Sequence, residues 1–275
     1  MNRETTVLAA LDRSVAAQPV LAAASALADV LNAGVAALHV QEDSTQTPGD
    51  VARAAGVPLR VVRGSVVDEL VAAGKADDVA ALVIGARGMP TDPRPLGSTA
   101  VAVAGALLKP VLVVSPDAEP RHSFGRALVP LEGNLATSLA PRSFIELAPN
   151  VGLEIVALHV VAPDAIPAFT DQPQHEQEAL AREFLARHCP WGIDVVQFET
   201  RVGRREELIP LAAAECGCDL IVLGWMRRLT PGRARVVRAT LEGSRVPVML
   251  IPIQPDDDAV VLASDVTPTA RGVND

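Results

Sequence analysis

The stretch that decides the fold is Val79–Pro116, VAALVIGARGMPTDPRPLGSTAVAVAGALLKPVLVVSP. Its apolar run, Ala80–Ile84, ends at a glycine, and a loop rich in glycine and proline follows (Gly85, Gly88, Gly97, Pro90, Pro93, Pro95). Ser98 and Thr99 then lead into an apolar helix predicted over Ala100–Leu108, and Pro110 precedes a second apolar strand, Val111–Val114. Two apolar strands joined through a loop and a helix predict a β-α-β unit of a parallel sheet, buried on both faces.

The same stretch is a candidate phosphate site. Glycines let the backbone approach a ligand closely, and a helix N-terminus offers unpaired N–H groups and the positive end of the helix dipole to an anion. The hydroxyls of Ser98 and Thr99 suit either a helix cap or a bond to phosphate. Spacing alone leaves a second interpretation open, because glycine-rich loops also join strands to helices without binding anything.

This stretch resembles the C-terminal half of a universal stress protein domain. The resemblance lies in Val83–Gly88, Gly97–Thr99, the apolar helix and the strand PVLVVSP. In that family the loop reads glycine, two residues, glycine, nine residues, glycine, then serine or threonine. Here eight residues, 89–96, separate Gly88 from Gly97, so the loop is one residue shorter, and it is rich in proline. The resemblance implies an α/β, Rossmann-like fold of the adenine nucleotide alpha hydrolase type. Each domain is then a five-stranded parallel sheet flanked by helices, with strand order 3-2-1-4-5.

The sequence contains this pattern twice. ALHV occurs at Ala37–Val40 and at Ala157–Val160, in each case ending 28 residues after an acidic residue, Asp12 or Glu132. Gly64 and Gly203 each lie 21 residues before a strand-ending glycine, Gly85 or Gly224. The repeat predicts two tandem domains, 1–118 and 122–253, related by a pseudo-twofold axis, with Asp117–Gly125 as the linker. The family resemblance implies that the domains meet through their last strands. Residues 254–275 begin with Gln254, followed by a proline and three aspartates, and are expected to form a disordered tail.

Periodicity predicts the remaining elements of the first domain. We expect strands at Thr6–Leu11, Val35–Val40 and Leu59–Val62, with helices at Ala16–Asn32, Val51–Ala55 and Val66–Ala73. Gly34 fits the C-cap of the first helix. The second copy begins with the strand Ala127–Leu131 and ends with Val246–Pro252, and it carries 19 extra residues between its second and third strands. We assign these to a longer helix, Gln174–Arg187.

The resemblance also implies where a nucleotide would bind. It places Leu11, Asp12 and Val40 around the nucleoside and the loop residues around the phosphates (Gly85, Ala86, Arg87, Gly88, Gly97, Ser98, Thr99). The expected ligand is ATP, with or without Mg²⁺. An alternative is that Asp12 only caps the first helix. Arg13 stands where family members commonly have glycine, so it either crowds the site or adds a phosphate contact.

The second copy has lost this loop motif. Gly224 is followed by Trp225, Met226 and Arg227, and Ala234-Arg235 stand where Gly97-Ser98 stand in the first copy. We expect Trp225 to fill the vacated crevice as core. Five arginines crowd this region and suit either phosphate or, as the favoured alternative, a solvated face or an acidic partner (Arg227, Arg228, Arg233, Arg235, Arg238).

Composition excludes other functions. The net charge of −9 and the aromatic content of 3% argue against nucleic-acid and anionic-membrane binding. The N-terminus lacks a signal-peptide pattern and three cysteines do not make a disulfide framework, so we expect a cytoplasmic protein. His39 and His159 are interpreted as hydrogen-bonded strand-end residues, and Cys216 and Cys218 as buried thiols. No catalytic signature is present.

Two functions remain after these exclusions. The first is a stress-response regulator that binds ATP in its first domain, with at most slow ATP hydrolysis. Such a protein would act on a regulatory protein partner and could form a homodimer. The alternative is an interaction scaffold that binds no nucleotide because both pockets are closed.

Overall fold

The computed structural model describes residues 5–14, 17–41, 48–87, 96–131, 140–161, 196–227 and 234–253 of the 275-residue chain. Several predictions fall outside these ranges: those for Gly88 and the loop prolines, for Glu132, for the helix Gln174–Arg187, for Arg228 and Arg233, and for the tail 254–275.

The first half alternates strands and helices as predicted. Its strands are β1 (Thr6–Ala10), β2 (Gly34–Gln41), β3 (Leu59–Arg63), β4 (Val79–Gly85) and β5 (Val111–Val114). Its helices are α1 (Ala17–Leu31), α2 (Gly49–Ala54), α3 (Val66–Gly74) and α4 (Ser98–Ala106).

The second half repeats this order. Its strands are β6 (Arg126–Leu131), β7 (Glu154–Val161), β8 (Val196–Val202), β9 (Leu220–Trp225) and β10 (Val248–Pro252). Its helices are α5 (Arg142–Leu147), continued by a 3-10 turn at Ala148–Val151, α6 (Arg205–Glu215) and α7 (Arg235–Gly243). None of the helices in the described ranges is long and apolar enough to span a membrane.

All ten strands lie in one sheet with the order β3-β2-β1-β4-β5-β10-β9-β6-β7-β8. Within each half the strands are parallel and follow the predicted 3-2-1-4-5 order. The two halves meet where β5 pairs antiparallel with β10, with Leu112 opposite Met249. This single antiparallel contact reverses the order of strands, and it produces the expected pseudo-twofold relationship between the halves.

Apolar side chains cover both faces of the sheet. Because neighbouring residues of a strand point to opposite faces, Val111 and Val113 of β5 join one buried cluster and Leu112 and Val114 the other. One cluster packs against α1 and α5, and the other packs against α3, α4, α6 and α7. Each cluster contains residues of both halves, so the sheet and its helices share a continuous core across the β5–β10 contact.

The end of α1 differs from the prediction that Gly34 is its C-cap. Asn32 takes the left-handed conformation, with φ 49°, and Gly34 is the first residue of β2. The Asn32 N–H donates to the Asp29 carbonyl and the Ala33 N–H to the Ala28 carbonyl, which is the Schellman pattern of helix termination. Asparagine tolerates this conformation better than most residues do, so the helix ends before the chain reaches the glycine.

Candidate functional site

The carboxyl ends of β1, β2 and β4 lie at one edge of the sheet. β1 lies between the other two: Ala10 is opposite Leu38 of β2, and Ala9 is opposite Val83 of β4. From β1 the chain crosses to β2 on one side, whereas β4 on the other side of β1 is reached from β3, so the strand order reverses at β1. In open α/β sheets this is the position where ligands bind.

Asp12 forms a local turn at the end of β1. One of its carboxylate oxygens, Oδ1, accepts hydrogen bonds from the Ser14 N–H at 2.8 Å and from the Ser14 hydroxyl at 2.5 Å. This Asx turn precedes α1, and in the described residues the Asp12 carboxylate is not bonded to an N–H of that helix. The sequence analysis overlooked Ser14, although Asp followed by Ser two residues later is a typical signal for such a turn.

The two described ends of the glycine loop are held together at Ala86. Its N–H donates to the Val114 carbonyl of β5 at 2.7 Å, and its carbonyl accepts from the Gly97 N–H at 2.8 Å. A Cβ placed on Gly97 would lie 3.3 Å from the Ala86 carbonyl oxygen and 3.6 Å from the Arg87 Cα. Gly97 is thus packed closely against the backbone at the end of β4, and a larger residue would push these two segments apart.

The N-terminus of α4 carries no side-chain cap. Gly97 is the N-cap residue with extended backbone, and as a glycine it has no side chain that could accept a bond from the first turn. Ser98, the first helical residue, is exposed, and Thr99 is half-buried. The hydroxyls therefore do not cap the helix from the N-cap position, and the first-turn N–H groups stand at the sheet edge that also holds Asp12.

Most of the predicted site residues come together at this edge. The carboxyl ends of β1 and β2 supply Leu11, Asp12 and Val40, and the segment after β4 with the start of α4 supplies the others that are described: Gly85, Ala86, Arg87, Gly97, Ser98 and Thr99. Leu11 is buried, and Val40 and Arg87 are half-buried. Gly88 lies outside the described residues.

The second copy has a different backbone at the N-cap of the corresponding helix, where the first copy has Gly97 with φ −73°. Ala234, the N-cap of α7, has φ 50°, and Arg227 has φ 56°. A left-handed conformation costs a residue with a side chain roughly 1–2 kcal/mol. Trp225 is 3% exposed, as expected for a core residue. Side chains thus occupy positions that glycines hold in the first copy.

Two of the described arginines of the cluster contact acidic groups of their own chain. The Arg235 guanidinium lies 3.9 Å from the Glu206 carboxylate, and that of Arg238 lies 3.7 Å from Glu242. These side chains are largely exposed, so each pair contributes little to stability. The pairs fit the interpretation of a solvated face.

Both histidines are hydrogen-bonded at strand ends, as predicted. Nδ1 of His39 lies 2.8 Å from the Leu11 carbonyl oxygen, and Nδ1 of His159 lies 3.4 Å from the Leu131 carbonyl oxygen. Each bond links a histidine to the residue 28 positions earlier in its own copy. The two interactions are thus equivalents in the internal repeat.

The thiols at the end of α6 differ in their exposure. Cys218 is buried, whereas Cys216 is half-buried, so the prediction of two buried thiols is correct only for Cys218. Burial, together with Cys216 and Asp219 nearby, raises the pKa of the Cys218 thiol to about 12, although Arg126 opposes the shift. Within the described ranges no three His, Cys, Asp or Glu residues form a metal-binding group.

Two Rossmann-like units that share one sheet define a tandem α/β protein. Residues 123–252 match the model of the Universal stress protein family. This half of the chain is therefore similar to that family, in agreement with the resemblance read from the sequence. No curated protein matches the chain.

Solved structures show the same tandem architecture along almost the whole chain. A functionally unknown protein of Pseudomonas aeruginosa PAO1 is 15% identical, with 95% of this chain and 97% of that chain covered and a TM-score of 0.64. A universal stress protein of Archaeoglobus fulgidus DSM 4304 is 17% identical, with 93% and 100% covered and a TM-score of 0.62. A universal stress protein solved in complex with cAMP is 18% identical over 48% of this chain and 98% of that chain, with a TM-score of 0.37.

Proposed function

We propose that this is a cytoplasmic tandem universal stress protein that binds one adenine nucleotide, ATP, in its first domain. The domains are 1–118 and 122–253, and the protein acts as a stress-response regulator with little or no turnover. The observation that supports this proposal is the difference between the copies. In the first, the helix at the sheet edge that holds Asp12 has Gly97 as its N-cap with extended backbone, whereas in the second the N-cap is Ala234 in the left-handed conformation, followed by Arg235.

The groups at this edge suit the parts of a nucleotide. A carboxylate accepts hydrogen bonds from ribose hydroxyls, and Asp12 uses only Oδ1 for its turn with Ser14. The N–H groups and hydroxyls of Ser98 and Thr99 can donate to phosphate oxygens, and such charge-assisted bonds contribute roughly 1.5–3 kcal/mol each. The Gly97 N–H is already bonded to Ala86, so its role is to bring the helix close to the strand end.

The described residues fit a nucleotide better than a metal. No acidic cluster among them would hold Mg²⁺ by itself. Mg²⁺ is commonly bound through substrate phosphates with one or two carboxylates, so it would arrive with the triphosphate, and Asp12 is the described carboxylate at this edge.

Calorimetry with ATP tests the proposal, after mass spectrometry of the gently purified protein for bound ATP or AMP. We expect one site per chain. Asp12→Ala should weaken binding about tenfold, which corresponds to one hydrogen bond to the ligand. Gly97→Val should abolish binding, whereas Arg235→Ala, at the position of the second copy that is equivalent to Ser98, should leave it unchanged. Two sites per chain, or binding that survives Gly97→Val, would contradict the asymmetry.

One observation favours the alternative function, an interaction scaffold without nucleotide. Close packing of Gly97 against Ala86 and Arg87 already explains why a glycine is needed there, whether or not a ligand binds. If the wild-type protein binds neither ATP nor AMP in the calorimeter while its unfolding remains cooperative, the scaffold is the better account.

A further inference from the structure

The first and second copies differ in how far the first two strands remain paired. Pairing of β1 with β2 ends with Ala10 opposite Leu38. Pairing of β6 with β7 continues for one more residue, to Leu131 opposite His159. Leu131 is the counterpart of Leu11 in the internal repeat. The strands of the first copy therefore separate one residue earlier, immediately before Asp12.

Where β1 and β2 separate, a side-chain hydrogen bond takes the place of a backbone hydrogen bond. The Leu11 N–H donates to the Leu38 carbonyl at 2.9 Å, so the next bond of a parallel ladder would run from the Val40 N–H to the Leu11 carbonyl. Among the backbone hydrogen bonds of the described residues this one is missing. The Leu11 carbonyl accepts instead from Nδ1 of His39 at 2.8 Å. Because a carbonyl oxygen can only accept, Nδ1 carries the proton.

His39 is buried, with 7% of its surface exposed, and its hydrogen bond to Leu11 connects two adjacent strand ends. In the second copy the equivalent distance, from His159 Nδ1 to the Leu131 carbonyl, is 3.4 Å, and the backbone pairing there includes Leu131. In the first copy, therefore, a short hydrogen bond from the imidazole accompanies the shorter ladder of backbone hydrogen bonds. In the second copy a longer imidazole distance accompanies the longer ladder.

We infer that His39 is a positioning residue for the ligand. By donating to the Leu11 carbonyl in place of the Val40 N–H, it fixes the segment that leads to Asp12 and leaves the Val40 N–H at the sheet edge. That N–H is then a donor for an acceptor atom of the bound molecule, and a ring nitrogen of a purine base has this chemistry. The inference rests on the proposed function, since it assigns a role within the same site.

Two measurements on the full chain test this role. His39→Leu removes the imidazole donor, so the Val40 N–H should pair with the Leu11 carbonyl and its exchange with solvent, followed by NMR, should slow about tenfold. ATP affinity, measured by calorimetry, should fall about tenfold, since one hydrogen bond to the ligand is lost. His39→Asn keeps an N–H on the atom bonded to Cγ and should bring the affinity and the Val40 exchange back close to wild type.

The internal repeat supplies the matched control. His159→Leu removes the equivalent imidazole from the second copy and should change neither the Val40 exchange nor the ATP affinity. If His39→Leu binds ATP as the wild type does and its Val40 exchange is unchanged, the inference is overturned. If the wild type binds no ATP, the proposed function fails, but the Val40 exchange in His39→Leu still decides whether the imidazole replaces the ladder bond.

Discussion

Gly64 and Gly203 adopt the same unusual backbone conformation at equivalent points of the two halves, with φ values of 153° and 149°. Each follows the third strand of its half and precedes the next helix, so the chain makes the same turn twice. A Cβ on Gly64 would lie 2.8 Å from Glu69 Oε1, and one on Gly203 would lie 2.9 Å from Leu208 Cδ1. The repeat read from the sequence is thus preserved in the backbone conformation and in the contact five residues later.

Replacing either glycine with alanine should destabilise the protein. Gly64→Ala and Gly203→Ala should each lower the free energy of unfolding by about 1–2 kcal/mol, because alanine is strained at this φ. Urea unfolding measures the change. Gly105→Ala is the control, since it lies within α4 and its Cβ would meet nothing closer than the Arg227 carbonyl oxygen at 3.8 Å. This variant should be as stable as wild type or more so, and equal stability of all three variants would contradict the prediction.

A buried carboxylate anchors the linker to the second half. Asp219, just before β9, accepts from the Gly125 N–H at 2.9 Å and from the Arg126 N–H at 3.2 Å. Asp219→Ala leaves both N–H groups without this acceptor and should lower the free energy of unfolding by about 1–3 kcal/mol. Arg121→Ala is the control, because that side chain lies 4.0 Å from Asp219 and is 47% exposed. It should cost less than about 1 kcal/mol, and equal losses for the two variants would argue against the anchor.

The elements were predictable because local sequence determines them. β5 occupies the predicted Val111–Val114, since a strand buried on both faces reads as an unbroken apolar run and Pro110 bounds it. Gly34 was the wrong C-cap because Asn32, two residues earlier, accepts the left-handed conformation. Glycine favours such a turn, but it does not fix which of two nearby candidates takes it.

The site was less predictable because it depends on contacts between segments distant in the chain. The motif placed Asp12, Gly85 and Gly97 at one edge, since carboxyl ends of adjacent parallel strands meet there. It could not show that the Gly97 N–H is bonded to Ala86, or that the imidazole of His39 replaces a ladder bond. Both facts depend on where the strands separate, and the same ALHV sequence has different pairing in its two copies.

The equivalent helices α4 and α7 differ in the polarity of one buried position, which gives a paired test. Thr240 of α7 is fully buried, and in the described part of the protein its hydroxyl is the buried side-chain oxygen without a hydrogen-bond partner. Val103, also fully buried, holds the equivalent position of α4. Thr240→Val should raise the free energy of unfolding by about 1 kcal/mol, because an unpaired hydroxyl is costly to bury. Val103→Thr should lower it by a similar amount in the same urea titration. If Thr240→Val lowers the free energy of unfolding, the Thr240 hydroxyl has a hydrogen-bond partner in solution.

The buried thiol of Cys218 should make stability depend on alkaline pH. Its folded-state pKa of about 12 exceeds the ordinary value of 9.0 because burial disfavours the thiolate. Between these values the folded state keeps a proton that the unfolded state loses, so the contribution is complete below about pH 9 and is lost as the pH rises toward 12. The free energy of unfolding should therefore fall by about 1 kcal/mol between pH 8 and pH 10 on account of this group. The chain contains no tyrosine, so tyrosine does not contribute to the pH dependence in this range, whereas lysine does. Urea titrations at both pH values should show the loss in wild type and in Cys216→Ala, whereas Cys218→Ala should lack it. The same slope in Cys218→Ala as in wild type would show that other groups cause it.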